Sequence, residues 1–339
     1  MMRRRARTWA LVASSVFAFA LAACAKKDDV VVQTGAGKEL TSTAIDADAL
    51  ALLPPNAVGV LTVDAQALFA SSFGARILSI TQARSPLPQA AEFEPKRDID
   101  RVHLGIYSMQ GADIAGVALG RFKPEKIAKA AEENPRTPTG APVTKSEYAG
   151  RALYTSRGIG FTVLTERTLL FGNETGMRRA LDRIHEGRAR RQLPKWMAEM
   201  LETKSAPLAG GADLTSQPVP AAARDQLAFL DGLKTASLLG NFEEPGLNLA
   251  GTLSYAEPEG AAHGADNLKQ LHSRLATYAP FMALLGFPQP VRSLEVRAEK
   301  EQVKFVAGVD GAAVAVLLEK AESYLSTLSA NAPASPPTP

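Results

Sequence analysis

The chain of 339 residues contains one cysteine, Cys24. Without a second thiol it forms no internal disulfide, and no thiolate cluster is available for a structural zinc. The four histidines are His103, His185, His263 and His272. No His-Glu-x-x-His is among them, and His263 and His272 do not fall on adjacent turns of one helix face, so a dedicated zinc site is not expected. Gly-x-Ser-x-Gly is absent, which removes the usual hydrolase elbow. Ser156-Arg157-Gly158 lacks the flanking pattern of a nucleophile. Gly158-Ile159-Gly160 falls between two expected strands rather than before a helix, so it cannot cradle phosphate. No apolar run reaches the roughly 20 residues of a membrane span. Net charge is also scarce, at +3.

The amino terminus has what the rest lacks. Arg3, Arg4, Arg5 and Arg7 precede an apolar segment from Trp9 to Ala20, followed by Leu21-Ala22-Ala23-Cys24 and then by Lys26-Lys27-Asp28-Asp29. A basic start, a short apolar middle and small residues before a cleavage point make residues 1–23 a secretory signal peptide. Leu21-Ala22-Ala23-Cys24 resembles the lipobox of bacterial lipoproteins. The resemblance implies a diacylglyceryl group on the Cys24 thiol, cleavage just before it and acylation of the new amino terminus. The competing readings are plain secretion, with cleavage after Ala22, and a retained helix, which the short apolar run disfavours. Ala6-Arg7-Thr8 lacks the apolar residues of a twin-arginine signal, so Sec export is expected. Ala25, where an aspartate would resemble an inner-membrane retention signal, implies sorting to the outer membrane in a Gram-negative host. Removing residues 1–23 takes four arginines from the 38 basic residues and leaves 35 acidic ones, a formal charge of −1. That balance gives no global attraction to nucleic acid or to an anionic bilayer.

Residues 24–45 read as a flexible tether. A first α+β module is expected over 46–204, a linker rich in proline and glycine over 205–220, a second module over 221–330, and a disordered proline-rich tail over 331–339. In the first module Asp64 reads as a helix N-cap, Ile99–Tyr107 and Asp113–Phe122 as a hairpin, and 151–172 as a meander leading into a helix capped by Asn173. In the second, two hairpins alternate with two helices, the last capped by Asp310. The fold class is therefore α+β: two modules of antiparallel sheet with helices on one face, and a possible internal duplication. Leu53-Pro54-Pro55 before a valine-rich strand, with Val63-Asp64 opening a helix, is similar to uncharacterised exported bacterial proteins; no functional residue carries over.

One segment stands out chemically. Arg178, Arg179, Arg183, Arg188, Arg190, Arg191 and Lys195 crowd together, diluted by Asp182 and Glu186. They are a candidate surface for an anionic partner, or else a solvated helix face with Arg178 paired to Asp182. Trp196 is the one aromatic nearby, which does not support stacking on single-stranded nucleic acid. No catalytic residue, metal or cofactor is expected. The reading is a lipid-anchored cell-envelope protein with a binding or structural role, associated with the membrane through Cys24 and with a protein or envelope partner, but not with nucleic acid. The alternative is a periplasmic or surface hydrolase whose site has no recognisable motif.

Overall fold

The structure is a computed structural model that describes residues 38–84, 92–108, 113–138 and 140–330. Residues 1–23, read as a signal peptide, Cys24 and residues 331–339, read as a disordered tail, lie outside the described residues.

Twelve strands form one antiparallel sheet. Its first members are β1 (Gly59–Asp64), β2 (Ile99–Ile106) and β3 (Ile114–Gly120). A meander follows: β4 (Thr144–Tyr148), β5 (Arg151–Ser156), β6 (Ile159–Val163) and β7 (Thr168–Asn173). The later strands are β8 (Leu208–Asp213), β9 (Leu233–Asn241), β10 (Gly246–Tyr255), β11 (Val291–Glu299) and β12 (Gln302–Asp310). Their lateral order is β11-β12-β10-β9-β8-β1-β2-β3-β7-β6-β5-β4, so β1 and β8 lie at the middle and β11 and β4 at the edges.

Register explains where the helices sit. A row of mostly small residues crosses six strands as Gly211, Val60, Gly105, Ala115, Gly172 and Gly160. Period-two alternation puts all six on one face. Two helices lie against this row. In α7 (Glu174–His185), capped by Asn173 accepting from Gly176 N, Met177, Ala180, Leu181 and Ile184 are buried. In α8 (Lys195–Leu201), Met197 and Leu201 are buried. A side chain on Gly160 would meet Met177, and one on Gly211 would stand 2.9 Å from Met197 Cγ. The opposite face carries Ala118, Phe161, Tyr154 and Leu169 beneath α6 (Pro124–Glu133). Further along the same face, Leu253 and Val303 lie beneath Ala261 and Ala265 of α10 (Pro258–Leu284).

The remaining helices are short or peripheral. They are α1 (Ser42–Ala47), α2 (Ala49–Leu52), α3 (Ala65–Ala70), α4 (Gly74–Arg84), α5 (Pro95–Asp98), α9 (Ala221–Gln226) and α11 (Gly311–Ala330). Asp64 caps α3 and Asp310 accepts from Ala313 N at the start of α11.

Several expectations need correction. The two modules share one continuous sheet, and the described residues form one compact unit. Helices cover both faces rather than one. Within 205–220, read as a linker, β8 pairs with β1 on one side and β9 on the other. Gly210 and Gly211 looked like loop signals, but a side chain on Gly211 would crowd Met197 and Met200 of α8, and one on Gly210 would stand 3.0 Å from Leu61 on the other face. Ordered structure begins before Asp46: Leu40 and Ile45 are 3% and 0% exposed, and Leu40 N donates to Ile184 O at 3.0 Å. The helix that Asp64 was expected to open ends at Ser71, whose N–H turns back to Leu68 O, and α4 starts at Gly74.

Candidate functional site

The arginine segment folds into the body rather than forming one basic surface. Arg183, expected to point outward, is 8% exposed, and its Nη2 donates to Ala51 O and Arg190 O at 3.2 and 2.8 Å. Burial pulls its pKa below the usual arginine value. Arg191 Nε donates to Asp48 Oδ2 at 2.6 Å, and its Nη1 pairs with Glu202. Arg179 donates to Asp113 at 2.8 Å and lies 4.5 Å over the Tyr107 ring. Arg178 pairs with Glu174 at 2.5 Å rather than with Asp182, and stacks 4.9 Å from the Tyr148 ring. Asp182 instead accepts from Tyr148 Oη at 2.9 Å. Arg188 pairs with Glu186, and Lys195 with Glu199 at 3.8 Å. Among the described residues the Arg190 guanidinium has no ion-pair partner.

Sequence reasoning missed a buried polar layer on the face under α7. Thr62 and His103, opposite each other in the β1–β2 register, join through Oγ1 and Nδ1 at 2.9 Å. Burial, with Arg101 and Arg191 nearby, holds the His103 pKa down at about 4, so the ring is neutral at pH 7. Tyr107 is 5% exposed, and burial raises its phenol above the ordinary range. Beyond this layer, Asp46, Asp64, Asp100, Arg101 and Arg167 line an open recess of about 300 Å³. Its acids already have partners. Asp46 accepts from Thr165 and Thr168 at 2.5 and 2.6 Å, Asp64 caps α3, and Asp100 pairs with Arg121 at 3.0 Å. Among the described residues no three His, Cys, Asp or Glu side chains come close enough to hold a metal.

The largest uncommitted surface is apolar. The first half of α10 lies on the sheet through Ala261, Gly264 and Ala265, with Tyr255 beneath it donating to Phe229 O at 2.6 Å. From Ser273 to Leu285 every residue except Ala279 is exposed. Leu284 is 86% exposed, Tyr278 62%, Phe281 61% and Leu285 54%. No charged residue occurs from Ala276 to Phe287. That uncharged dozen was the sequence signal for this surface, hidden because it continues a long helix without a break. Among the described residues no helix is long and apolar enough to cross a membrane.

With this geometry in hand, solved structures offer one recurring likeness. The chain is similar in fold to TP0453. Crystal forms I and III of TP0453 each superpose with a TM-score of 0.52 and 12% identity, covering 80% of this chain and 97% and 98% of TP0453. At that identity TP0453 supports the sheet-and-helix architecture and assigns no residue a role. No protein-family model and no curated protein matches the chain.

Proposed function

We propose that the chain is a lipid-anchored cell-envelope protein with a non-catalytic, binding role. An acyl group on Cys24 holds it to the outer membrane, and the folded body from Lys38 onward makes the contact. One observation carries the binding role. Most of the charged groups that the fold gathers in the arginine segment and the recess have internal partners, whereas the exposed half of α10 is apolar and has none. Exposed apolar surface on this scale marks an interaction site. Charges already held in ion pairs and capping bonds offer little free valence for proton transfer or nucleophilic attack.

Metabolic labelling with a fatty-acid probe tests the anchor. Label should appear on the parent and vanish from Cys24→Ser, with the variant accumulating as uncleaved precursor. Unchanged labelling of the variant would overturn the assignment. Recovery of the parent with inner-membrane fractions would refute the sorting.

A further inference from the structure

From the exposed half of α10 we infer that this segment is immersed in one leaflet of the bilayer that holds the Cys24 lipid. The inference rests on the lipoprotein reading for the identity of that bilayer. The patch is large. The exposed fractions of Leu275, Tyr278, Phe281, Met282, Leu284 and Leu285, with Phe287 beside them, amount to on the order of 800 Å², against roughly 300–600 Å² for the largest patch of an ordinary monomer.

Its distribution decides between a bilayer and a second copy of the chain. At 100° per residue the six large apolar side chains of α10 spread over about half the helix circumference. The other half holds Ala276, Ala279, Pro280 and Ala283, with no charge at all. Docking on a second copy would bury one side and leave the other apolar side in water. A helix that is apolar all round is satisfied only when surrounded, which lipid does and a two-fold interface does not. Length then limits depth. Ala276 to Phe287 rises about 18 Å, too short for the ~30 Å hydrocarbon core but enough for one leaflet.

The backbone at the end of α10 is also suited to lipid. Gly286, at φ +75°, lets Gly286 N donate to Ala283 O at 2.9 Å and Phe287 N donate to Met282 O at 2.9 Å. These two bonds are a Schellman closure, which satisfies carbonyls that a helix end would otherwise leave bare in hydrocarbon. Pro288 and Pro290 follow and bring no N–H donor. Lys320 Nζ, 4.9 Å from the Phe287 ring centroid, marks a rim where a headgroup phosphate would lie. The tether permits the approach: the fourteen residue steps from Cys24 to Lys38 span at most about 50 Å.

The test uses the full chain purified from host membranes, with its amino-terminal peptide weighed by mass spectrometry to establish acylation. It is reconstituted in phosphatidylethanolamine–phosphatidylglycerol vesicles containing brominated acyl chains, as Leu284→Trp and, separately, as Ile159→Trp. Ile159 is also exposed, at 38%, but lies in the meander. Trp196 adds the same background to both. Quenching of Leu284→Trp should exceed that of Ile159→Trp by about threefold and should not change when salt is raised, because insertion is apolar rather than electrostatic. Equal quenching of the two variants on an acylated chain would overturn the inference while leaving the lipoprotein reading intact. Blue-shifted but unquenched emission from Leu284→Trp would assign the patch to a second copy and likewise overturn it. A missing acyl group with strong quenching would sink the lipoprotein reading and keep the immersed helix.

Discussion

Replacing Arg191 should destabilise the protein, although its sequence context looks like a solvated basic face. Asp48, with a side chain 4% exposed, stands between α1 and α2. Its Oδ1 accepts from Leu50 N and Ala51 N at 3.1 and 3.3 Å, and its Oδ2 accepts from Arg191 at 2.6 Å. Asp48→Ala loses a cap worth about 1 kcal/mol and a charge-assisted bond worth about 2 kcal/mol, so it should cost about 3 kcal/mol. Arg191→Met keeps most of the aliphatic stem and leaves the buried carboxylate with two N–H donors. It should cost about 2 kcal/mol, the lower figure reflecting a guanidinium that is one-third exposed and also engaged by Glu202. The double variant should show a coupling of about 2 kcal/mol. Urea unfolding is the assay, followed by Trp196, the one tryptophan beyond the signal peptide, which packs on β8 at Gly211. Arg188→Met is the control. Arg188 is exposed and pairs with its near neighbour Glu186, so the change should stay within about 0.5 kcal/mol. A coupling no larger than the control would show that Arg191 is a surface charge and that Asp48 acts alone.

The pH dependence should carry a signature of His103. Its folded pKa of about 4 lies below the 6.5 of a free imidazole, so the unfolded chain binds the extra proton in that window. Its contribution is then complete above pH 6.5, and up to about 3 kcal/mol is lost as pH falls to 4. Subtracting the urea-unfolding profile of His103→Gln from that of the parent isolates the effect, and a flat difference would refute it. Ile45→Ala should cost about 3 kcal/mol, because the residue is fully buried. A cost under about 0.5 kcal/mol would return α1 to the tether. Gly120→Ala should be destabilising by about 2 kcal/mol or more, because the added Cβ falls inside van der Waals contact of the Asp98 carbonyl oxygen, a backbone atom with nowhere to go. A neutral melting shift would mean the β2–β3 pairing is looser at that end.

Local signals in this chain are legible because each is settled within a few residues. Asn173, Asp64 and Asp310 read as helix caps and act as caps. The strand pairs at 99–120, 233–255 and 291–310 follow from β-rich runs bounded by turns. What the sequence hides is lateral. β8 is a central strand only because β1, more than 140 positions earlier, lies beside it, and its paired glycines imitate a linker until α8 is placed over Gly211 and Leu61 beside Gly210. Arg183 has the spacing of an outward residue, but its neighbours on the completed fold are Ala51 O and Arg190 O. Those partners come from distant or irregular segments that no periodicity announces. The apolar end of α10 was hidden for the opposite reason. Its hydrophobicity reads as core, and only the finished structure shows that the helix is exposed from Ser273 to Leu285, Ala279 excepted.

That end of α10 is separable from the fold, and the separation can be measured. Small residues allow the first half of the helix to approach the sheet; in the second half Phe281 and Leu284 are turned away from the face that Ala261, Gly264 and Ala265 present. Those side chains therefore add little burial to the folded state. Replacing both Phe281 and Leu284 by glutamate removes side chains that are 61% and 86% exposed, so unfolding free energy should change by no more than about 0.5 kcal/mol for each. Neither position is within the first or last buried turn that holds α10 to Tyr255. Solubility in the absence of lipid should rise, because the substitutions break up the apolar patch. A core position would behave differently, at about 3 kcal/mol or more for a buried carboxylate in place of phenylalanine. Urea midpoints separate these outcomes cleanly: a large loss would place Phe281 and Leu284 inside a packed interface, and an unchanged midpoint would leave them as surface whose apolar character the fold itself does not need.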